Sequence, residues 1–198
     1  MGVYKLSTAG GLATPRTNYS SFLAGNPVFV PPSYESIATV SVGSGGQSTV
    51  TFSSIPATYT HLQIRGIALS NLAEANLRVR FNSDSGANYA RHYVGGNGSI
   101  TFASGVANET FAQGGLSPNS TQPAAYVMDI LDYKNTNKYT TLRSLYGDDK
   151  NGGTGYVFLA SGLWQNTAAV TSIDLDYAGG TATFSQYSQF ALYGIKGA

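Results

Sequence analysis

Residues Tyr34 to Gly66 read YESIATVSVGSGGQSTVTFSSIPATYTHLQIRG, and this stretch decides the fold. Apolar side chains alternate in IATVSV and again in TVTF, where Val50 and Phe52 share one face. Such alternation is typical of β-strands, and the Gly- and Ser-rich GSGGQS between the two segments predicts a turn, so we expect a hairpin. A third strand follows a Pro-marked corner. Its alternation slips by one residue at Gly66 and would turn Ile67 inward, which predicts a β-bulge.

The same alternation recurs along the rest of the chain. We expect strands in NLRVRFN, AYVMDILDY, YTTLRSLYG, GYVFLASGLW, VTSIDLDY and QFALYGI. In VTSIDLDY, for example, Ile173, Leu175 and Tyr177 should face inward. The segment from Gly95 to Gln122 is rich in Gly, Asn and Ser, and we interpret it as a long loop with one or two short strands. No segment shows the periodicity of a long amphipathic helix.

About eight to ten strands without a helix indicate an all-β protein. We predict an antiparallel β-sandwich of jelly-roll type, in which the last strand returns to the sheet that the first strand begins. An immunoglobulin-like sandwich is the alternative, but the strand count and the long connection from Gly95 to Gln122 favour the jelly roll. A chain of 198 residues is long enough for one such domain with a substantial core.

Composition narrows the class of function. Charged residues make up only 11% of the chain, while Gly (24 residues) and Tyr (14 residues) are abundant, which is typical of secreted, adhesive or assembled proteins. A formal net charge of +1 gives no electrostatic indication of a nucleic-acid or membrane partner. Cysteine is absent, which excludes disulfides and thiolate metal sites. The sequence shows neither a signal-peptide pattern nor an apolar run of about 18 residues.

The first 32 residues differ from the rest of the chain, because glycine and proline interrupt every periodic pattern. We therefore divide the chain into an extended N-terminal arm, residues 1–33, and a jelly-roll β-sandwich, residues 34–198. An arm without its own core is ordered only when it lies on another surface, and we predict docking on a neighbouring subunit rather than on its own sheet edge. The predicted partner-binding side chains are Tyr4, Leu6, Tyr19, Phe22, Leu23, Val28, Phe29 and Val30.

Two histidines and three pairs of aspartates are the candidates for chemistry. His61 and His92 lie in different strand segments without metal-ligand spacing, so we interpret them as surface or boundary residues. The acid pairs could supply a glycosidase pair or a calcium site, but their spacings fit turns and strand faces better. These pairs are Asp129 with Asp132, Asp148 with Asp149, and Asp174 with Asp176. We predict no catalytic residue, no metal and no cofactor.

Aromatic side chains suggest a different kind of site. Exposed tyrosines and the single tryptophan, Trp164, could stack on the rings of a polysaccharide. Tyrosine also fills β-sheets and interfaces, where its ring is buried while its hydroxyl stays hydrogen-bonded. We therefore expect most of the 14 tyrosines to be structural.

Five segments carry a resemblance to known proteins: the Tyr34–Gly66 stretch, RVRFNSDSGANYARHYVGGNGS, MDILDYKNTNKYTTLRSLYGDD, SGLWQNTAAVTSIDL and QFALYGIKG. In this order they resemble a family of tailed-phage virion proteins that is common in phages of cyanobacteria and aquatic bacteria. The likeness covers Tyr34 to Gly197. Members of that family are described as structural, decoration or tail-fibre proteins. The resemblance implies a β-sandwich module that binds other virion proteins and does no chemistry.

The first functional hypothesis is therefore a capsid cement or decoration protein. It would lie on the outer surface of the virion shell as a homotrimer or dimer, and its arm would clamp neighbouring copies of the major capsid protein. The alternative is a tail-fibre or receptor-binding module that recognises host polysaccharide through exposed tyrosines and Trp164. An enzyme is not expected, because no carboxylate pair has the separation that glycoside hydrolysis needs.

Overall fold

The computed structural model describes residues 33–73, 75–150 and 155–196, and every regular element in these ranges is a β-strand. The strands are β1 (Tyr34–Ser41), β2 (Thr49–Phe52), β3 (His61–Ala68), β4 (Asn76–Phe81), β5 (Tyr89–Gly96), β6 (Thr101–Glu109), β7 (Ala112–Leu116), β8 (Ala124–Leu131), β9 (Thr140–Asp148), β10 (Tyr156–Trp164), β11 (Ile173–Tyr177) and β12 (Gln189–Ile195). Among these residues there is no helix of the length and apolarity that crossing a membrane requires. The predicted arm, with its eight partner-binding side chains, lies outside the described residues.

The strands form two antiparallel sheets. The large sheet has the order β1-β12-β3-β8-β9-β10-β5-β6, and the small sheet has the order β2-β11-β4-β7. As predicted, the last strand returns to the first sheet, where β12 lies between β1 and β3. Inward side chains of both sheets meet in a single hydrophobic core, so the fold is β-sandwich-like.

The predicted alternation of inward side chains is confirmed in four strands, because a half-buried strand must place every second side chain in the core. The buried residues are Val50, Phe52, Leu62, Ile64, Leu77, Val79, Phe81, Ile173, Leu175 and Tyr177. Aromatic rings join the two sheets at the centre of this core. The ring centroid of Phe184 lies 4.6 Å from that of Tyr177 and 5.1 Å from that of Phe190.

Two hairpins, β5–β6 and β9–β10, widen the large sheet to eight strands, whereas the small sheet that packs on it has four. An aromatic cluster packs on the inner face of this extension. Tyr93 lies 4.7 Å from Phe158, and Phe102 lies 6.3 Å from Tyr156, measured between ring centroids. These rings pack against the hydrophobic core and extend it beneath the added strands.

The predicted hairpin between the first two strands is wrong. β1 pairs with β12 in the large sheet, whereas β2 pairs with β11 in the small sheet. The linker between them crosses from one sheet to the other and pairs with the segment before β12. The Gln47 amide donates to the Phe184 carbonyl at 2.9 Å, and the Val42 amide donates to the Ser188 carbonyl at 2.8 Å. A strand from the other end of the chain therefore takes the place that β2 was expected to fill.

The predicted bulge at Gly66 is also wrong. β3 pairs with β8 and β12 without a shift in register, so Gly66 faces inward and Ile67 faces outward. A Cβ atom on Gly66 would lie 2.4 Å from the Phe190 ring. The glycine provides room for a large ring on the neighbouring strand, and this need for space produced the apparent slip in the apolar pattern.

The predicted long loop from Gly95 to Gln122 contains two full strands, β6 and β7, of which β6 spans nine residues. β6 forms the edge of the large sheet and is mostly exposed on both faces. An edge strand of this kind is held by backbone hydrogen bonds and needs no apolar alternation, so the pattern did not reveal it. With these strands the described ranges contain twelve strands, above the expected eight to ten.

Candidate interaction surface

The outer face of the small sheet is an internally paired ionic cluster. Asp176 on β11 accepts a hydrogen bond from Nε of Arg78 at 2.7 Å and another from Nη1 of Arg80 at 3.1 Å. Asp174 accepts from the hydroxyls of Thr51 at 2.7 Å and Ser83 at 3.0 Å. These two aspartates therefore join neighbouring strands, and their carboxylate oxygens are already engaged within the chain.

In the other two candidate acid pairs, the carboxylates that the structure describes make separate contacts. Asp129 accepts a hydrogen bond from Gln63 at 2.7 Å, while Asp132 lies beside Lys138, whose hydrogen bond lowers the pKa of the Asp132 carboxyl. Asp148 accepts from the backbone amide of Tyr156 at 2.8 Å. The described residues contain no group of three His, Asp or Glu side chains that could hold a metal ion. The turn after Asp148, where a calcium site was the less favoured alternative, is only partly within the described ranges.

The two histidines lie far apart on the large sheet. His61 is on β3 and His92 is on β5, and three strands separate them. Nδ1 of His61 accepts a hydrogen bond from the backbone amide of Asp132 at 2.9 Å. The ring of His92 lies over Gly105 on the neighbouring strand. The prediction that they form no joint site agrees with this placement.

Trp164 is not available for stacking on a sugar. Its side chain is only 1% exposed and packs against Phe81 and Tyr89. The indole N–H donates to Oδ2 of Asp84 at 2.7 Å. Although burial acts to raise the pKa of Asp84, hydrogen bonds from Trp164, Asn88 and the Gly86 amide lower it overall. The expectation of an exposed Trp164 platform is therefore wrong.

The outer face of the large sheet divides into two halves, of which the first is polar and internally hydrogen-bonded. On β1, β12 and β3, the ring of Tyr34 stacks on Tyr193 at 4.8 Å between centroids. The Tyr34 hydroxyl donates to Gln63 at 2.6 Å, and Nε of Arg65 donates to the same Gln63 oxygen at 2.9 Å. Burial raises the pKa of Tyr34, against the opposing effect of Arg65. The polar side chains of this half therefore already form hydrogen bonds with one another.

The second half is apolar and uncovered, and we call it the outer apolar stripe. The strand register places its residues in two adjacent rows across the large sheet from β3 to β6. One row consists of Val127, Leu145, Leu159, Val94 and Ala103 and ends at Arg65 on β3, while the other consists of Ile67, Ala125, Gly147, Val157 and Gly96 and ends at Thr101 on β6. The five largest exposed side chains of the stripe, Ile67, Val94, Leu145, Val157 and Leu159, have relative exposures between 49% and 65%.

A polar row borders the stripe on one side. It runs across the same strands through Gln63, Asp129, Arg143, Ser161 and His92. The stripe is thus a defined patch with a polar rim rather than a scatter of single apolar residues. Contiguous exposed apolar surface of this kind marks protein–protein contact sites.

The stripe was not predicted from the sequence, although one signal is present. AYVMDILDY is apolar on both faces apart from Asp129 and Asp132, which is typical of a central strand, and β8 lies between β3 and β9. The outward residue Val127 in that segment has no role in the core, and the same holds for Leu145 and Leu159 on the next two strands. Their alignment in one row depends on the pairing of β8, β9 and β10, which alternation alone does not give.

The arrangement can support binding to another protein surface, because it offers a flat apolar area with hydrogen-bonding groups along its edge. Comparison of the chain with protein-family models, curated proteins and solved structures found no match.

Proposed function

We propose that the chain is a structural protein of a phage virion, a capsid cement or decoration protein that lies on the outer surface of the shell. In this proposal the N-terminal arm, residues 1–33, clamps copies of the major capsid protein. The outer apolar stripe is the observation that carries the proposal, because an exposed apolar face of this size favours an assembled state over a free monomer. The sequence resemblance adds the phage virion as the place of assembly.

The strand order supports a jelly-roll topology. Within the large sheet, β1-β12-β3-β8 are consecutive neighbours, and the small sheet contains β2-β11-β4-β7. The first four strands alternate between the two sheets. The β5–β6 and β9–β10 hairpins then enter as additions that widen the large sheet. Two four-stranded sheets with such crossovers are typical of the jelly rolls of viral capsid and lectin domains, so this support is an analogy at the level of the fold.

The proposed mechanism is binding without chemistry. The arm contributes apolar side chains such as Tyr19, Phe22 and Phe29, while its basic residues Lys5 and Arg16 have no acidic neighbour within the arm. Burial of such side chains against a shell protein stabilises the complex by about 1.5–3 kcal/mol for each large apolar group. Repetition of the contact over the shell multiplies a modest affinity for each copy.

The decisive experiment compares the full chain with a variant lacking residues 1–32, using purified shells that lack the protein. We expect saturable binding of the full chain, loss of binding on deletion, and an unchanged β-type circular dichroism spectrum. A second variant, Phe22→Ser with Phe29→Ser, keeps the length of the arm and removes two of its apolar side chains. It should also bind weakly. Unchanged shell binding after deletion would contradict the clamp. Antibody labelling confined to the tail tip of intact particles would favour the receptor-binding alternative.

A further inference from the structure

We propose that the outer apolar stripe is the contact surface of a homodimer whose two-fold axis runs parallel to the strands, between β9 and β10. This inference deepens the proposed assembly role by naming the partner of the stripe as a second copy of the chain. It is argued from strand register alone and is tested without a virion.

The residues nearest the axis are complementary. Leu145 and Leu159 are directly paired across β9 and β10. A two-fold axis between these strands places Leu145 of each copy over Leu159 of the other. One strand further out on each side, it places Val127 over Val94 of the second copy. The central four strands of the first row therefore meet apolar side chains, and at the end of the row Ala103 lies over Arg65 of the second copy.

The second row has complementary shape as well as polarity. Gly147 and Val157 are paired in register, so the same axis places Val157 of each copy over Gly147 of the other. Val157 is the most exposed large side chain of the stripe, at 65%. The position above Gly147 is open, since a Cβ atom there would meet only the Tyr156 carbonyl oxygen at 3.9 Å. A projecting valine thus fits above a glycine on both sides of the axis.

The same two-fold axis also places complementary residues of the two polar rims opposite each other. Asp129 of one copy lies over His92 of the other, and Arg143 lies over Ser161. An imidazole N–H can donate to a carboxylate, and a guanidinium N–H can donate to a hydroxyl oxygen. No two like charges lie directly opposite each other in this row. The rim therefore fixes the register of the two copies while the stripe supplies the buried apolar area.

The area of the interface determines the affinity that we expect for the dimer. Six strands from β3 to β6 span about 24 Å, and three rows of outward residues span about 20 Å along the strands, so each copy contributes roughly 500 Å² of plane. A total of about 1,000 Å² lies at the lower limit for a specific interface. We therefore expect a dissociation constant of about 1–100 µM, which a larger assembly would strengthen by holding copies side by side.

Sedimentation equilibrium of the full chain over this concentration range tests the proposal. We expect a reversible monomer–dimer transition that Leu159→Glu weakens by at least about a hundredfold, because each copy would bury an unpaired carboxylate. Leu72→Glu is the matched control, since Leu72 is equally a leucine, is 47% exposed and lies outside the stripe. This control should dimerise like the parent chain. A monomer at every concentration, or equal effects of both substitutions, overturns the proposal.

Cross-linking tests the axis itself, and the absence of native cysteine makes it specific. A mixture of Val127→Cys and Val94→Cys chains, treated with a short bismaleimide, should give a covalent dimer containing one chain of each kind. Each variant alone should give little product, because identical positions lie on opposite sides of the axis. Equal cross-linking in all three samples places the axis elsewhere and overturns the proposed geometry.

A variant lacking residues 1–32 tests whether a second copy or the N-terminal segment of the same chain covers the stripe. If residues 1–32 of the same chain covered the stripe, their deletion would convert a monomer into a dimer, and that result overturns the proposal. We expect the deletion variant to dimerise with the affinity of the full chain. Loss of shell binding together with retained dimerisation would leave both proposals standing, whereas failure of one assay alone identifies which proposal is wrong.

Discussion

Glycine lies opposite an aromatic ring at several places in the large sheet. Gly66 faces Phe190 across β3 and β12, Gly95 faces Phe102 across β5 and β6, and the ring of Tyr59 covers Gly194. In each case a Cβ atom would lie 2.3–2.7 Å from a ring carbon. The ring covers backbone that glycine leaves bare, so the pair acts as one unit of packing across two strands.

Replacement of one such glycine should therefore destabilise the fold. We predict that Gly66→Ala lowers the free energy of unfolding by about 1–3 kcal/mol, because the fully buried Phe190 ring has nowhere to move. Urea denaturation monitored by tyrosine and tryptophan fluorescence measures the change. Gly45→Ala is the matched control, since nothing lies within 4 Å of its Cβ position, and we expect a change below about 1 kcal/mol. Similar midpoints for the two variants would contradict this account.

Among the elements, β11 connects the small sheet through its outer aspartates as well as through its backbone. Asp176 pairs with two arginines of β4, and these three side chains are only 14–21% exposed. We predict that Asp176→Asn destabilises the protein by about 1–3 kcal/mol, since both guanidinium groups lose their carboxylate. Thermal unfolding measures the effect.

Asp174→Asn on the same strand face is the control for that prediction. Among the described residues, Asp174 accepts hydrogen bonds from the hydroxyls of Thr51 and Ser83, one at each carboxylate oxygen. An Asn amide keeps one oxygen as acceptor, and its NH2 group can donate to the oxygen of the other hydroxyl. We expect a loss below about 1 kcal/mol. An equal loss for both variants would mean that the ion pairs contribute nothing beyond an ordinary polar contact.

The sequence predicted which side of a strand faces the core much better than which strand lies beside it. Inward positions such as Val50 and Leu62 follow from local alternation, because every second residue of a half-buried strand must be apolar. Pairing is decided by residues far along the chain, and the predicted β1–β2 hairpin was wrong because β12 occupies that place. β6 was not predicted for a different reason, because a strand that is exposed on both faces shows no alternation of apolar residues.

The candidate site could be predicted only in part. Its residues are individually visible as outward apolar positions in strands with two apolar faces, Val127 being one example. The stripe forms only when Leu145 is in register with Leu159 and Leu159 is in register with Val94. β9 and β10 are neighbours in sequence, but β5 and β10 are separated by a long segment, so their pairing does not follow from local pattern. The burial of Trp164 was likewise beyond local pattern, because it depends on contacts with Phe81 and Asp84.

For the whole molecule, carboxyl groups determine the response to acid. The pKa of Glu35 is lowered by hydrogen bonds from Lys196 and Tyr59, and that of Asp132 by Lys138. Hydrogen bonds from Trp164, Asn88 and the Gly86 amide lower the pKa of Asp84 despite its burial. A carboxyl whose pKa is lower in the folded state stabilises the fold above its unfolded pKa and loses that contribution as the pH falls through its folded pKa.

We therefore predict that the free energy of unfolding is constant between about pH 5 and 7 and decreases as the pH falls below about 4, where unfolded Asp and Glu bind protons. Urea unfolding at a series of pH values between about 2.5 and 7 measures the slope. Asp84→Asn should reduce this slope, because one of the linked carboxyls is removed. Stability that increases on acidification would contradict the assignment of these groups.

The position of β12 has a consequence for synthesis. A ribosome completes β1 long before β12, yet among the strands of the described ranges β12 alone pairs with β1, and it also covers one side of β3. Until the segment after Ser188 has left the exit tunnel, β1 therefore lacks this partner, and both β1 and β3 expose backbone groups that favour association with other strands. The large sheet thus closes in a single late step, and a nascent chain stopped before Gln189 has no way to complete it.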